Sequence, residues 1–272
     1  MPTLPFYQVD AFASKTFEGN QACVMPLDAF PPDETLLAIA AENNVAETAY
    51  IVPAGDGVWT LRWFTPAVEV PLCGHATLAS AHVLFAHGGF AGEAIAFDTV
   101  KSGRLIVRRL ADGRLEMDFP SAPVQPAPVT DEIAAALGAR PAEAWGGMFY
   151  AARFETAEEV KALAPDHRAL KALGAAGGDW ARGNFGCFAL GGDGADATSR
   201  FFAPGSGIDE DPATGSWHTM LARILAENFA RPEAHCYQAF PGRGAWIDVR
   251  LEGGRVKLTG TAVTVIEGIF KL

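Results

Sequence analysis

The feature that most constrains this chain is that it repeats itself. Arg62-Trp63-Phe64-Thr65-Pro66 is answered by Arg200-Phe201-Phe202-Ala203-Pro204. A glycine turn follows each: Cys73-Gly74-His75 in the first copy, and Asp211-Pro212-Ala213-Thr214-Gly215-Ser216 in the second. A helical pattern then begins, through Leu78, Ala81 and Phe85 in the first and through Met220, Leu221, Ile224 and Leu225 in the second. Aligning Gly74 with Gly215 needs only a short insertion in the second copy. An alternating strand, Trp59 to Phe64, enters the first turn. Such a junction of strand, glycine turn and helix leaves the first N–H groups of the helix unpaired, ready for a carboxylate or phosphate. Two of them predict duplicated domains whose helix N-termini face one cleft.

Composition narrows the class of partner. The 272 residues suit about two domains, and 49% hydrophobic with 19% charged residues gives core material without a disorder signature. The formal charge of −11, uninterrupted by a basic cluster, argues against nucleic acid and anionic membranes. Cys23, Cys73, Cys187 and Cys236 are scattered without metal-ligand spacing. His82 and His87 do not have the i, i+4 spacing of a metal pair either, so no metal site is expected. The N-terminal Met1-Pro2-Thr3-Leu4-Pro5 has no basic or apolar signal region, and no run is long enough to span a membrane. The expectation is a reduced, cytoplasmic protein.

Periodicity predicts an α+β chain. Strands are expected at Phe6–Phe12 and Ala22–Met25 around a Gly19-Asn20 turn, at Thr48–Val52 and at Trp59–Phe64. A helix is expected after Pro31-Pro32, with Asp33 as N-cap and Asn43-Asn44 as its end. Strands near Ile95–Phe97, Leu105–Val107 and Leu115–Phe119 close the first half. Pro120, Pro123, Pro126 and Pro128 then read as a linker over residues 121–128, dividing a domain 1–120 from a domain 129–261. The second half opens with helices near Glu132–Leu137 and Glu158–Leu163 and a loop at Gly174–Gly178. It continues with strands at Phe185–Leu190, Ser199–Phe202, Cys236–Phe240, Ala245–Leu251, Arg255–Thr259 and Ala262–Phe270.

Several residues could carry chemistry. Glu47 sits among apolar residues at a helix-to-strand junction, where a raised carboxyl pKa would suit proton transfer; a solvated junction glutamate is the other reading. His75, at a helix start, is expected to have a lowered pKa and to act as a neutral ring, or else to be structural. Asp211 could cap its helix or hold a substrate ammonium, and Ser216, parallel to His75, could bind an anion. Cys73 suggests a two-thiol racemase, but the aligned residue is Thr214, so Cys73 is read as packing.

Taken in order, Val9-Asp10-Ala11-Phe12, Phe17-Glu18-Gly19-Asn20, Ala41 to Ala49, Arg62-Trp63-Phe64-Thr65-Pro66, Cys73-Gly74-His75-Ala76-Thr77 and Glu210 to Ser216 closely resemble the PhzF family of phenazine-biosynthesis isomerase-like proteins. The resemblance covers nearly the whole chain. It implies the diaminopimelate-epimerase-like fold: two pseudo-symmetric domains, each a mixed sheet rolled around a central helix, with the last strand, 262–272, completing the first domain. It also implies a homodimer and catalysis without cofactor or metal. Glu47 matches the glutamate that moves the proton in the phenazine enzyme, and Asn20, Gly74, His75, Asp211, Gly215 and Ser216 match residues that bind its substrate. The chain departs from the pattern at Gln21, at Trp217, which is expected to change pocket volume, and at Phe240-Pro241-Gly242-Arg243-Gly244. The leading expectation is therefore an isomerase with Glu47 as single acid/base on a small carboxylate-bearing substrate. An amino-acid racemase or epimerase, and a non-catalytic small-molecule-binding protein, are the alternatives.

Overall fold

The structure, a computed structural model, describes residues 3–55, 57–121, 123–176 and 183–272. In chain order the elements are β1 (Thr3–Ala11), β2 (Asn20–Pro26), α1 (Asp33–Asn43), β3 (Glu47–Gly55), β4 (Val58–Phe64), β5 (Glu69–Val70), α2 (Gly74–Ala86), β6 (Ala94–Thr99), β7 (Gly103–Arg109) and β8 (Leu115–Pro120). They continue with β9 (Gln125–Pro126), α3 (Asp131–Leu137), β10 (Glu143–Gly146), β11 (Tyr150–Arg153), α4 (Ala157–Ala162), α5 (His167–Ala176), β12 (Phe185–Leu190) and β13 (Ala197–Phe202). Last come α6 (Gly215–Phe229), β14 (Glu233–Gln238), β15 (Ala245–Glu252), β16 (Arg255–Gly260) and β17 (Ala262–Lys271). Two compact units result: Met1–Asp118 with Thr259–Leu272, and Phe119–Leu258.

The two units share one topology. In the first, β1 and β2 form an antiparallel hairpin, β2 runs parallel to β3, β3 antiparallel to β4, β4 parallel to β6, and β6 antiparallel to β7. In the second, β10 and β11 are the hairpin, followed by β11 parallel to β12, β12 antiparallel to β13, β13 parallel to β14, and β14 antiparallel to β15. Each parallel pair needs a crossover. Helix α1 supplies the first crossover in one unit, and α4 with α5 in the other; α2 and α6 supply the second. Strand β17 pairs antiparallel with β1 along its length.

Helix α2 explains why the first sheet curls. Nine of its residues are buried, among them Leu78, Ala79, Ala81, Val83 and Leu84. A helix apolar on every side must be enclosed, and β1, β2, β3 and β17 all pack on it. Helix α6 is enclosed in its own unit by the same logic, through Trp217, Met220, Leu221, Ile224 and Leu225. Helix α1 instead packs on the opposite side of the first sheet, with Leu36, Ile39 and Ala40 against Met25, Tyr50 and Phe64. The Tyr50 hydroxyl fixes it by donating to Leu36 O at 2.6 Å.

A pair of matched clamps sets the entry to each glycine turn. Arg62 donates through Nε and Nη2 to the Glu69 carboxylate at 2.7 and 2.9 Å, and Arg200 does the same to Glu210 at 2.8 and 2.7 Å. Each guanidinium lies over the phenylalanine two residues on, Phe64 at 5.1 Å and Phe202 at 4.8 Å. Glu69 stands four residues before Cys73, and Glu210 four before Thr214. The duplication therefore extends to the side chains that hold the turns.

Some expectations need correction. Asp33 is the first residue of α1, not its N-cap; Pro32 caps without a side-chain bond, and Asp33 is drawn away to Arg62 Nη1 at 2.8 Å. In the proline-rich stretch, Gln125-Pro126 pairs with β10 as an edge strand of the second unit. The expected loop at 174–178 begins as the end of α5, through Ala176; Gly177 and Gly178 lie outside the described residues, as do Met1 and Pro2. Among the described residues no helix is long and apolar enough to cross a membrane.

Candidate functional site

Register brings the first group together. Strands β2 and β3 run parallel, with Ala22 opposite Glu47, so both begin at one end of the sheet. Strand β4 runs back, with Phe64 opposite Thr48, and so delivers the chain to that same end, where residues 65–73 lead into α2. Asn20 opens β2, Glu47 opens β3, and Gly74 and His75 open α2. Gly19 sets the entry to β2: at φ +61° it lies so near Ala11 that a Cβ would stand 2.0 Å from the Ala11 carbonyl oxygen. At the other junction, Asn43 Nδ2 donates to Thr48 Oγ1 at 3.0 Å, tying the end of α1 to the start of β3.

The resulting cluster is tight. Glu47 Oε2 lies 3.0 Å from His75 Nε2, and Asn20 Nδ2 lies 3.3 Å from His75 Nδ1. Cys73 Sγ stands 3.6 Å from Nδ1 and 3.9 Å from Nε2 of the same ring. Asn20, Cys73 and His75 are buried, and the Glu47 side chain is 17% exposed. Oε2 is buried in the fold beside the ring. Asn20 and Glu47 thus stand at the two nitrogens of the ring, Nδ1 and Nε2.

The electrostatics differ from the expectation for His75. Burial does pull the imidazolium down, but the negative partners Cys73 and Glu47 outweigh it, and the pKa is held well above the ordinary histidine value. Burial pushes the Cys73 thiol up, with the Glu47 charge adding to it.

The second glycine turn is built by polar bracing. Thr214 Oγ1 donates to Asp211 Oδ2. Gln238, fully buried in β14, accepts from Thr214 N at 2.9 Å and donates to Asp211 O. Gln238 carries no sequence signal, because only the parallel pairing of β14 with β13 brings it under the turn. Gly215 and Ser216 open α6. Neither α2 nor α6 has a side-chain N-cap hydrogen bond, whereas α3 and α4 are capped by Thr130 and Thr156. The first-turn N–H groups at both glycine turns thus lack the side-chain acceptor that those of α3 and α4 have.

Register also shows what the second unit lacks. Phe185 faces Phe202 as Thr48 faces Phe64, so Asn184 takes the place of Glu47, Thr214 that of Cys73 and Ser216 that of His75. None of these three titrates near neutral pH. Trp217 does not line a pocket, contrary to expectation. It is fully buried in the core, stacked on Phe201 at 6.2 Å and against Phe188, over Gly186. One residue along an α-helix turns a side chain by about 100°, which carries position 217 away from Ser216 and into the protein.

A mixed sheet rolled around a buried helix, built twice, defines an α+β protein with the epimerase-like fold. A predicted epimerase from Pseudomonas aeruginosa has the same fold, with a TM-score of 0.72 at 23% identity over 97% of this chain and 98% of that one. The sequence profile of the phenazine biosynthesis-like proteins, PhzC-PhzF, matches residues 9–268, and the chain belongs to that family. It is 43% identical over 270 residues to an uncharacterized isomerase of Pseudomonas aeruginosa, covering 99% of both chains. The crystal structure of a PhzF family protein from Enterococcus faecalis superposes with a TM-score of 0.91 at 35% identity, covering both chains completely.

Proposed function

We infer that this chain is an isomerase that moves a proton on a small carboxylate-bearing substrate, with Glu47 as the single acid/base and no cofactor. The observation that carries the reading is the Glu47 carboxylate, mostly buried at the start of β3 and 3.0 Å from His75 Nε2. A proton shift needs one group that takes a proton from carbon and returns it to another carbon on the same face. A carboxylate does both when one lone pair faces the substrate and bulk water is kept off. His75 holds a positive or polarised N–H against developing negative charge. Asn20 fixes the ring. Gly74 offers a first-turn N–H group to a carboxylate. The same reading includes a cytoplasmic homodimer.

The contrast between the units favours this over a racemase. A two-base racemase requires a second proton donor, and the register equivalents in the second unit are Asn184, Thr214 and Ser216. The test is incubation of small unsaturated and amino acids in deuterated water. Deuterium entering at a new carbon, with the double bond displaced, supports the isomerase. Exchange at an α-carbon with loss of chirality supports the racemase.

A further inference from the structure

We propose that two copies of this chain join through strand β17, an open edge of the first unit's sheet, which pairs antiparallel with the same strand of the second copy about a two-fold axis at Ile269. The proposal rests on the homodimer in the reading above and specifies its interface; it does not depend on the role of Glu47.

Strand β17 is laddered to β1 along one side and otherwise packs on α2. Among the described residues no strand pairs with its outer side. An open edge is a template for another chain, and folded proteins guard one with proline, charge, a bulge or a short strand. Here the strand is 10 residues long. Its register shift lies opposite Gln8 and Val9, so the stretch from Ile266 onward is regular. That stretch exposes Ile266 at 46%, Ile269 at 68% and Leu272 at 39%. Large aliphatic side chains on a regular open edge fit burial against a partner.

Backbone and side chains agree on the register. Pro5 of β1 stands opposite Ile269 and has no N–H to give. A proline fits a ladder where its missing N–H would point away from the partner strand, so Ile269 turns its own N–H and C=O to the open edge. Glu267 and Lys271, two residues to either side, do the same. A two-fold axis at Ile269 brings these groups together as hydrogen-bonded pairs. It sets Glu267, whose side chain is 62% exposed beside His87, against the partner's Lys271, and Lys271 against the partner's Glu267. Ile269 meets the partner's Ile269. On the other face, Ile266 meets the partner's Leu272, and Phe270 the partner's Gly268, a position with open space around it. An axis at Glu267 or at Lys271 would face like charges instead.

The experiment uses the full chain. Sedimentation equilibrium should show the parent as a dimer. Glu267→Lys faces lysine with lysine on both sides of the axis and should weaken the dimer at least about tenfold. Combining Glu267→Lys with Lys271→Glu exchanges the charges and should restore the parent affinity. Ile269→Cys places two thiols across the axis at a Cα spacing of about 5.5 Å, which a disulfide spans. The four native cysteines are buried, so mild oxidation should give a covalent dimer on a non-reducing gel. Val100→Cys, at a 66% exposed site in the turn between β6 and β7, should give none. Far-ultraviolet circular dichroism verifies that each variant is folded. A dimer whose affinity is unchanged in Glu267→Lys, or which Ile269→Cys fails to lock, overturns this interface and leaves the homodimer standing. A monomeric parent overturns both.

Discussion

Deleting one side of the Arg200–Glu210 clamp should be the most damaging single change near the second glycine turn. Arg200 and Glu210 have side chains only 7% and 10% exposed. Arg200 is held on three sides: Glu210 takes Nε and Nη2, the Lys161 and Leu163 carbonyls take Nη1 at 3.1 and 2.7 Å, and Phe202 lies under the plane. Glu210→Ala leaves that guanidinium buried without its counter-charge, a loss of about 3–5 kcal/mol. At about 2–4 °C per kcal/mol, the unit that carries it should melt roughly 6–20 °C lower. Glu69→Ala in the first unit should cost less, about 1–2 kcal/mol, because Arg62 keeps Asp33 and Glu69 is 27% exposed. The double change Arg200→Met with Glu210→Leu should recover part of the loss, since no lone charge remains, but two carbonyls stay unpaired. Urea and thermal unfolding of the three variants measure this. A Glu210→Ala protein within about 1 kcal/mol of the parent would refute the clamp reasoning.

Two further outcomes follow from the core. His218 is fully buried with its Nδ1 on Thr214 O at 2.9 Å, and burial lowers its pKa to about 4. The folded state thus favours the neutral ring: this stabilisation is present above pH ~6.5 and is lost as pH falls towards 4, on the order of 3 kcal/mol in all. Unfolding titrations across that range should flatten in His218→Gln, and an unchanged slope would remove His218 from the account. Gly186→Ala places a Cβ 2.3 Å from the Trp217 ring, so it should destabilise by at least about 1–3 kcal/mol; a neutral change in melting temperature would mean that the ring can move.

Much of this was legible because the duplication wrote it twice. The repeat at Arg62 and Arg200 located both central helices and their glycine turns, and Asn44, in the left-handed region at φ 49°, ended α1 where expected. The hairpin β10–β11 and helix α5 were not legible. Glu143–Gly146 and Tyr150–Arg153 are four residues each, too short for period-two alternation to show. The site was half legible. Glu47 reads as an ordinary junction glutamate until β3 is paired with β2 and β4, and Cys73 reads as packing until its sulfur is seen against the His75 ring. The raised pKa of His75 was missed for the same reason: helix position argued for a fall, and the sequence shows neither the Cys73 sulfur against the ring nor Glu47 at its Nε2.

The central claim is that one carboxylate moves the proton. Its most direct test is deuterium uptake from solvent into a substrate, compared between the parent, Glu47→Gln and Cys73→Ala under one set of conditions. Glu47→Gln keeps the shape and removes the base, and a general acid/base contributes on the order of a hundred- to ten-thousand-fold. The account predicts at least that loss of exchange in Glu47→Gln with substrate still bound, and a smaller loss in Cys73→Ala. An active Glu47→Gln beside an inactive Cys73→Ala would assign the chemistry to the thiol and contradict it.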